Sequence, residues 1–306
     1  MRHLPFSALR AFEAAARAGS FRAAADDLRL TPSAVSHAIC GLERSLGVQL
    51  FAREGRAIRL TSEGEVLMRS VRRGFGELQH GLGAVSTRGP PLLRLHSAPS
   101  FAAQWLVPRL PRFLAESRGQ EVRIAASTNY TLFTRDEFDV EVFYGDPWGA
   151  DHAPGRHANL VVLPLGQETV TPLCAPALVA AIGTPRDLLS QTLIESDNKQ
   201  VRWPAWFAAN GLTAPEPCGP RFDRSFLSLS AAADGLGVAL ESTRLAEREL
   251  ASGRLIRPLQ GACEDVTYTG HWLVFPRSDH YGRGLVAFTR WMLLELGMPG
   301  DPFGEG

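Results

Sequence analysis

Apolar and polar positions alternate with two different periods along the chain. Up to about residue 85 the period is helical. PFSALRAFEAAARAG sets Leu9, Phe12 and Ala16 on one face and stops at Gly19. Ser20 is placed to cap FRAAADDL, whose small Ala23 and Ala24 permit a close neighbour. In TPSAVSHAICGLERSLG, Thr31 offers a cap and Pro32 suits the first helical position. Val35, Ile39, Leu42 and Leu46 then recur at four, three and four, and Gly47 ends the helix. The opposite face carries Ser33, Ser36 and His37. QLFAREGRAIRLT reads as two short strands around a Glu54-Gly55 turn, with Arg53, Arg56 and Arg59 near the tip. From SEGEVLM onward, Met68, Val71, Phe75, Leu78, Leu82 and Val85 recur at three, four, three, four and three, a heptad stripe on a longer helix. Past STRGPP the runs become short and β-rich: LLRLHS, EVRIAAS, DVEVFYG, LVVLPL and TLIES, separated by helical stretches such as FAAQWLVPRLPRFLAE. That alternation predicts an α/β fold with largely parallel sheets.

Charge separates the same two regions. Residues 1–90 carry 13 basic and 8 acidic side chains, while the remainder carry 19 and 24. A small basic module is therefore joined to a larger acidic one, and the Gly-Pro-Pro of STRGPP breaks the helix between them. At 306 residues two or three domains are expected. The N-terminus is interrupted by Arg10, Glu13 and Arg17, so it lacks the apolar segment of a signal peptide. No apolar run reaches membrane-span length. Cys40, Cys174, Cys218 and Cys263 are scattered, without metal-ligand spacing. These features predict a cytoplasmic protein that binds neither membrane nor metal and needs no cofactor. Lys199 is the only lysine beside 31 arginines, a bias attributable to codon usage.

Two short helices joined by a tight turn, the second showing polar side chains, make a helix-turn-helix over about residues 20–39. The arginine-bearing hairpin makes a wing suited to phosphates or a minor groove. The Thr31 helix is then a recognition helix entering a major groove of double-stranded DNA. Candidate DNA contacts are Ser20, Thr31, Ser33, Ser36, His37, Arg53 and Arg56. The heptad positions Met68, Val71, Phe75, Leu78, Leu82 and Val85 are candidate dimerisation residues, because paired half-sites call for two-fold symmetry. A single helix packed on its own domain is the alternative.

LRAFEAAARAGSFRAAADDL, TPSAVSHAI, LERSLGVQLFAR and LTSEGE stand in the order and spacing of LysR-type transcriptional regulators, which the chain resembles. SAPSFAAQWLVPRLPRF, FDVEVFYGD, LCAPAL, AAADGLGVAL and LASGRLIRPL extend the resemblance over essentially the whole chain, nearest to the branch of glycine-cleavage and β-lactamase regulators. The resemblance implies a winged helix-turn-helix over 1–62, a linker and dimerisation helix over 63–88, and a two-lobed α/β effector domain over 91–306, similar to type 2 periplasmic binding proteins. Lobe I would take about 91–165 and 271–306, lobe II about 166–270. It also implies a homodimer or homotetramer. Ala38 and Cys40 depart from the family, which often has a glutamine and a basic residue there. Cys40 reads as a small packing residue, with a redox role as the alternative.

In α/β sheets ligands bind at the carboxyl ends of strands, against helix N-termini. Ser97, Ser100, Thr128, Asn129 and Tyr144 follow the first runs, and the second lobe offers Ser196, Asp223, Ser225 and Glu241, with Trp203 and Trp206 as walls. The resemblance places positions near Ser97, Ser100, Asn129 and Ser225 against the effector. Neutral donors facing acidic groups suit a small zwitterion such as an amino acid. The competing reading gives Glu241 to the next helix and pairs Asp223 with Arg224 or Arg221. A solute-binding protein would explain only the second module. For an enzyme, the eight histidines form no H-E-x-x-H, and no G-x-S-x-G or phosphate loop occurs.

Overall fold

The computed structural model describes residues 5–54, 57–85, 92–130, 138–146, 159–278, 281–298 and 300–304. The chain forms two compact units, Met1–Thr87 and Arg88–Gly306.

In the first unit, helix α1 (Phe6–Ala18) leads to α2 (Phe21–Leu28), where Ser20 Oγ accepts from the Ala23 N–H at 3.4 Å. The turn passes through Arg29 in the left-handed region, φ 54°, into α3 (Pro32–Leu46). Thr31 Oγ1 caps α3 by accepting from the Ala34 N–H at 3.2 Å, and Gly47 closes it at φ 73°, where a side chain would be strained. Strands β1 (Phe51–Glu54) and β2 (Ala57–Leu60) pair antiparallel, Glu54 opposite Ala57. Helix α4 runs from Ser62 to Val85. The core joins Phe12, Ala15, Val35, Ile39, Leu42, Leu50 and Phe51 to Met68 and Val71. The close-approach face of α2 is Ala24 and Ala25, one residue later than the pattern predicts, and Ala23 is exposed. Leu46, the last residue of the α3 stripe, is also exposed.

Two local devices lock this unit. The buried Glu43 carboxylate accepts from the N–H groups of Leu50 (2.7 Å) and Phe51 (3.3 Å), fixing the path from α3 into the wing with charge-assisted bonds. Gly64 lies so close to the chain that a Cβ there would stand 2.2 Å from the Leu50 carbonyl oxygen.

The second unit holds two five-stranded sheets. The first has the order β4-β3-β5-β12-β6, from β3 (Leu93–Ser97), β4 (Val122–Ala126), β5 (Val140–Tyr144), β6 (Leu160–Pro164) and β12 (His271–Pro276). Between β3 and β4, α5 (Pro99–Phe101) continues through a π turn at Ala102–Leu106 into α6 (Val107–Glu116). The second sheet has the order β11-β7-β10-β8-β9, from β7 (Glu168–Leu173), β8 (Leu193–Ser196), β9 (Arg221–Phe222), β10 (Val238–Ser242) and β11 (Val266–Tyr268). Helices α7 (Trp203–Ala209), α8 (Ser225–Ala233) and α9 (Glu247–Ala251) accompany it, and α10 (Arg283–Glu295) returns to the first lobe's core. The sheets are mixed rather than largely parallel. β12 runs antiparallel to both β5 and β6, and β7 antiparallel to β10 and β11. The reason is the path of the chain, which crosses between sheets after Pro164 and again between Tyr268 and His271, so each sheet receives returning strands.

Candidate functional site

Capping decides how α3 meets its surroundings. With Val35, Ile39 and Leu42 buried, Ser33, His37 and Cys40 project into solvent and Ser36 is half-buried, one stripe at helical spacing. Ser33 Oγ lies 3.1 Å from Thr31 Oγ1, so the start of α3 concentrates hydroxyls beside free backbone N–H groups, a setting that attracts anions. Ser20 and Thr31 commit their side-chain oxygens to caps, leaving their helix N-termini rather than their hydroxyls for outside contacts. Cys40 is exposed, which removes the reading of it as a packing residue. Arg56 lies outside the described residues, as do the side chains of Arg53, Leu82 and Val85.

The heptad stripe of α4 divides. Met68 (4% exposed) and Val71 (6%) belong to the unit's own core, a correction to their reading as seam residues. Phe75 packs against that core from its margin. Leu78 is 50% exposed, and with it the stripe leaves the core.

The second unit brings the strand ends of both lobes together. Ser100 Oγ accepts from the Phe226 N–H at 3.3 Å, so a lobe I hydroxyl occupies the N-terminus of α8 in lobe II. The Tyr144 hydroxyl lies 3.0 Å from the Tyr268 hydroxyl and accepts from the Gln200 N–H at 3.3 Å. Burial raises the pKa of Tyr144 and of Tyr268, and the nearby carboxylates Glu241 and Glu168 push the same way, so both phenols stay protonated donors. Beneath them Glu241 is fully buried, and Lys199 Nζ stands 2.5 Å from its Oε2 while donating to the Leu240 carbonyl. Burial lowers the Lys199 pKa and raises that of Glu241, and each partner opposes the other's shift. The Ser225 and Ser228 hydroxyls lie beside the carboxylate without closing hydrogen bonds of good geometry.

Other expected contacts fall elsewhere. Ser97 is fully buried and donates to the Ala98 carbonyl at 3.2 Å. Thr128 and Asn129 are exposed beyond β4. Ser196 is buried at the end of β8. Trp203 is no cleft wall: it is 2% exposed, its indole N–H donates to the Ile194 carbonyl at 3.0 Å, and with Trp206 and Phe207 it fills the core of lobe II. Asp223 does not face a ligand either, being exposed and paired with Arg224 at 2.9 Å. Lys199, Gln200 and Tyr268 escape the sequence reading, although the lone lysine was a signal.

A second buried network spans the crossover. Glu168 of β7 meets His271 Nδ1 of β12 at 2.5 Å and accepts from Ser242 Oγ at 2.6 Å, with Arg244 Nη1 at 3.4 Å. Burial pushes its carboxyl up, but His271, Arg244 and Ser242 together carry it down to about 2. A cavity of about 330 Å³ adjoins this network, lined by Arg109, Glu168, Arg244, Glu247 and Glu295 among others. Its charges are already paired, Arg109 with Glu247 at 2.5 Å and Arg244 with Glu168, so it offers a ligand little.

Residues 6–65 match the family described as bacterial regulatory helix-turn-helix protein, lysR family, and residues 88–296 match the LysR substrate binding domain. The chain is 48% identical over 294 residues to the HTH-type transcriptional regulator PerR of Escherichia coli, covering 96% of each chain. It is 35% identical over 306 residues to the glycine cleavage system transcriptional activator of Escherichia coli, covering 98% of this chain and 96% of that one. Among solved structures, the effector domain of the transcriptional regulator AmpR of Pseudomonas aeruginosa superposes with a TM-score of 0.56 at 30% identity, covering 68% of this chain and 96% of that domain.

Proposed function

Since the chain belongs to the LysR family of transcriptional regulators, we propose that the exposed stripe of α3 reads operator DNA and that the cleft between the two lobes of the second unit receives the effector. Its membership makes it a DNA-binding regulator with a small-molecule effector domain, and not an enzyme. In our reading residues 1–62 bind DNA, 63–88 link and dimerise, and 91–306 sense. Ser33, Ser36 and His37 meet base edges or flanking phosphates, while Arg53 and Arg56 hold the backbone. The observation that carries this is the capped α3, with Val35, Ile39 and Leu42 of its apolar face in the core and its polar stripe turned outward. Leu78 begins the dimer seam, in a homodimer or homotetramer. The effector is a small zwitterion such as an amino acid, its carboxylate at the α8 N-terminus beside Ser100 and its cation toward Glu241. A protein working on chromosomal DNA belongs in the cytoplasm, and no helix among the described residues is long and apolar enough to cross a membrane.

Binding isotherms on a selected and a random duplex test the assignment. Ser36→Ala should cost about 1–3 kcal/mol on the selected site and blur specificity. Arg53→Ala should weaken both duplexes alike and flatten the salt dependence. The reverse pattern overturns the assignment of roles.

A further inference from the structure

The cleft already contains a cation of its own. Lys199 is the single lysine of a chain with 31 arginines. It comes from the stretch between β8 and α7, its side chain is 7% exposed, and its ammonium stands 2.5 Å from the fully buried Glu241 carboxylate. Glu168 and Glu195 are also near enough to favour its charge. Glu168 has His271 and Arg244 as partners, and Glu195 has Arg202 at 3.4 Å. Among the described residues Glu241 has Lys199 alone for a counter-ion.

A purely structural role explains this poorly. A buried ion pair contributes little to stability that a well-packed apolar pair would not. Where arginine serves at every other cationic position, a compact ammonium marks a place that a planar guanidinium fork does not fit. The same short stretch carries Gln200, whose N–H donates to Tyr144 across the cleft. The group that neutralises Glu241 and a bond that holds the lobes together are thus adjacent residues. Close by, Ser100 sits on the N-terminus of the nine-residue helix α8, whose Ser225 and Ser228 lie beside the Glu241 carboxylate. Side by side, the cleft thus holds a hydroxyl on the α8 amides and an ammonium on a carboxylate.

We infer that Lys199 is a tethered cation occupying an ammonium subsite whose floor is Glu241, and that the effector is an amine-bearing molecule whose own cation displaces it. This rests on the reading of the cleft as the effector site. Displacement of Lys199 moves Gln200 with it and releases the cross-lobe bond to Tyr144, which couples occupancy of the subsite to the relation of the lobes.

The full-length chain tests this by chemical rescue. Lys199→Ala removes the part of the side chain that n-propylammonium restores. Thermal melting of K199A should shift upward with n-propylammonium chloride and saturate, while n-propanol and sodium propionate at equal concentration leave it unmoved. Wild type, with its subsite filled, should not respond, and neither should K199A/E241Q. Absence of rescue, equal rescue by propanol, or rescue of the double variant overturns the inference. A second measurement needs no variant. As the only side-chain amine, Lys199 reports directly on acetylation followed by mass spectrometry. It should be protected in wild type and react faster in trimethylammonium chloride, whose tertiary amine forms no stable amide, than in sodium chloride of the same ionic strength; equal rates overturn displacement. Rescue without any compound altering DNA affinity would sink the effector reading and leave the subsite standing, whereas regulated DNA binding without rescue would sink this inference alone.

Discussion

Replacing Glu168 by Gln is expected to weaken the second unit and to change its acid sensitivity in a defined window. The carboxylate holds β7 of one lobe to His271 of the other, with Ser242 and Arg244 completing its shell. Its pKa falls from an ordinary 4.5 to about 2. At about 1.4 kcal/mol per unit, the ionised form contributes about 3 kcal/mol. Glutamine imitates the protonated acid, so Glu168→Gln should lose about that amount at pH 7. The sign follows from the depressed pKa: the contribution is present above about 4.5 and is lost as pH falls toward about 2. The gap between wild type and variant should therefore be narrower at pH 4 than at pH 7. All six tryptophans, Trp105 to Trp291, lie in the second unit, so urea unfolding followed by tryptophan fluorescence reads that unit. Equal stabilities at pH 7, or a gap that does not change with pH, would refute the assignment of Glu168 as an ionised clasp.

Leu78→Glu should give smaller species than wild type in sedimentation if the proposed seam holds, since among the described stripe side chains Leu78 is the exposed one; an unchanged mass removes the seam. Gly64→Ala should cost about 2 kcal/mol, the crowding against the Leu50 carbonyl outweighing the helix preference of alanine. Proteolysis between α1 and α4 would report that loss, and normal resistance would contradict it. Trp203→Ala should destabilise lobe II by about 3–5 kcal/mol in the same urea assay, as a core truncation does. A stable variant with only a weakened ligand response would restore it to the cleft.

Local chemistry made much of the fold legible. Ser20 and Thr31 announce caps, Gly47 a stop, and the β-rich runs their strands, because each signal acts within a few residues. Contacts closed by the chain's long returns were not readable. Glu168 and His271 are 103 residues apart, and nothing near either names the other. Ser100 and Phe226 are 126 apart and belong to different lobes. Trp203 and Trp206 resemble cleft walls until α7 turns them into the core of lobe II. Asp223 is acidic and near a strand end, yet Arg224 claims it. Composition did carry one signal of the site, in the single lysine.

The central claim is that α3 reads DNA as one half of a symmetric pair. Selection of duplexes from a random pool by the full-length chain, followed by sequencing, tests it most directly. The account predicts enrichment of two related half-sites in dyad arrangement, separated by about one helical turn of roughly 10 base pairs or a multiple of it. It also predicts that Ser36→Ala or His37→Ala alters the half-site letters while leaving the spacing intact. An unenriched pool, or an enriched sequence indifferent to both substitutions, would contradict it.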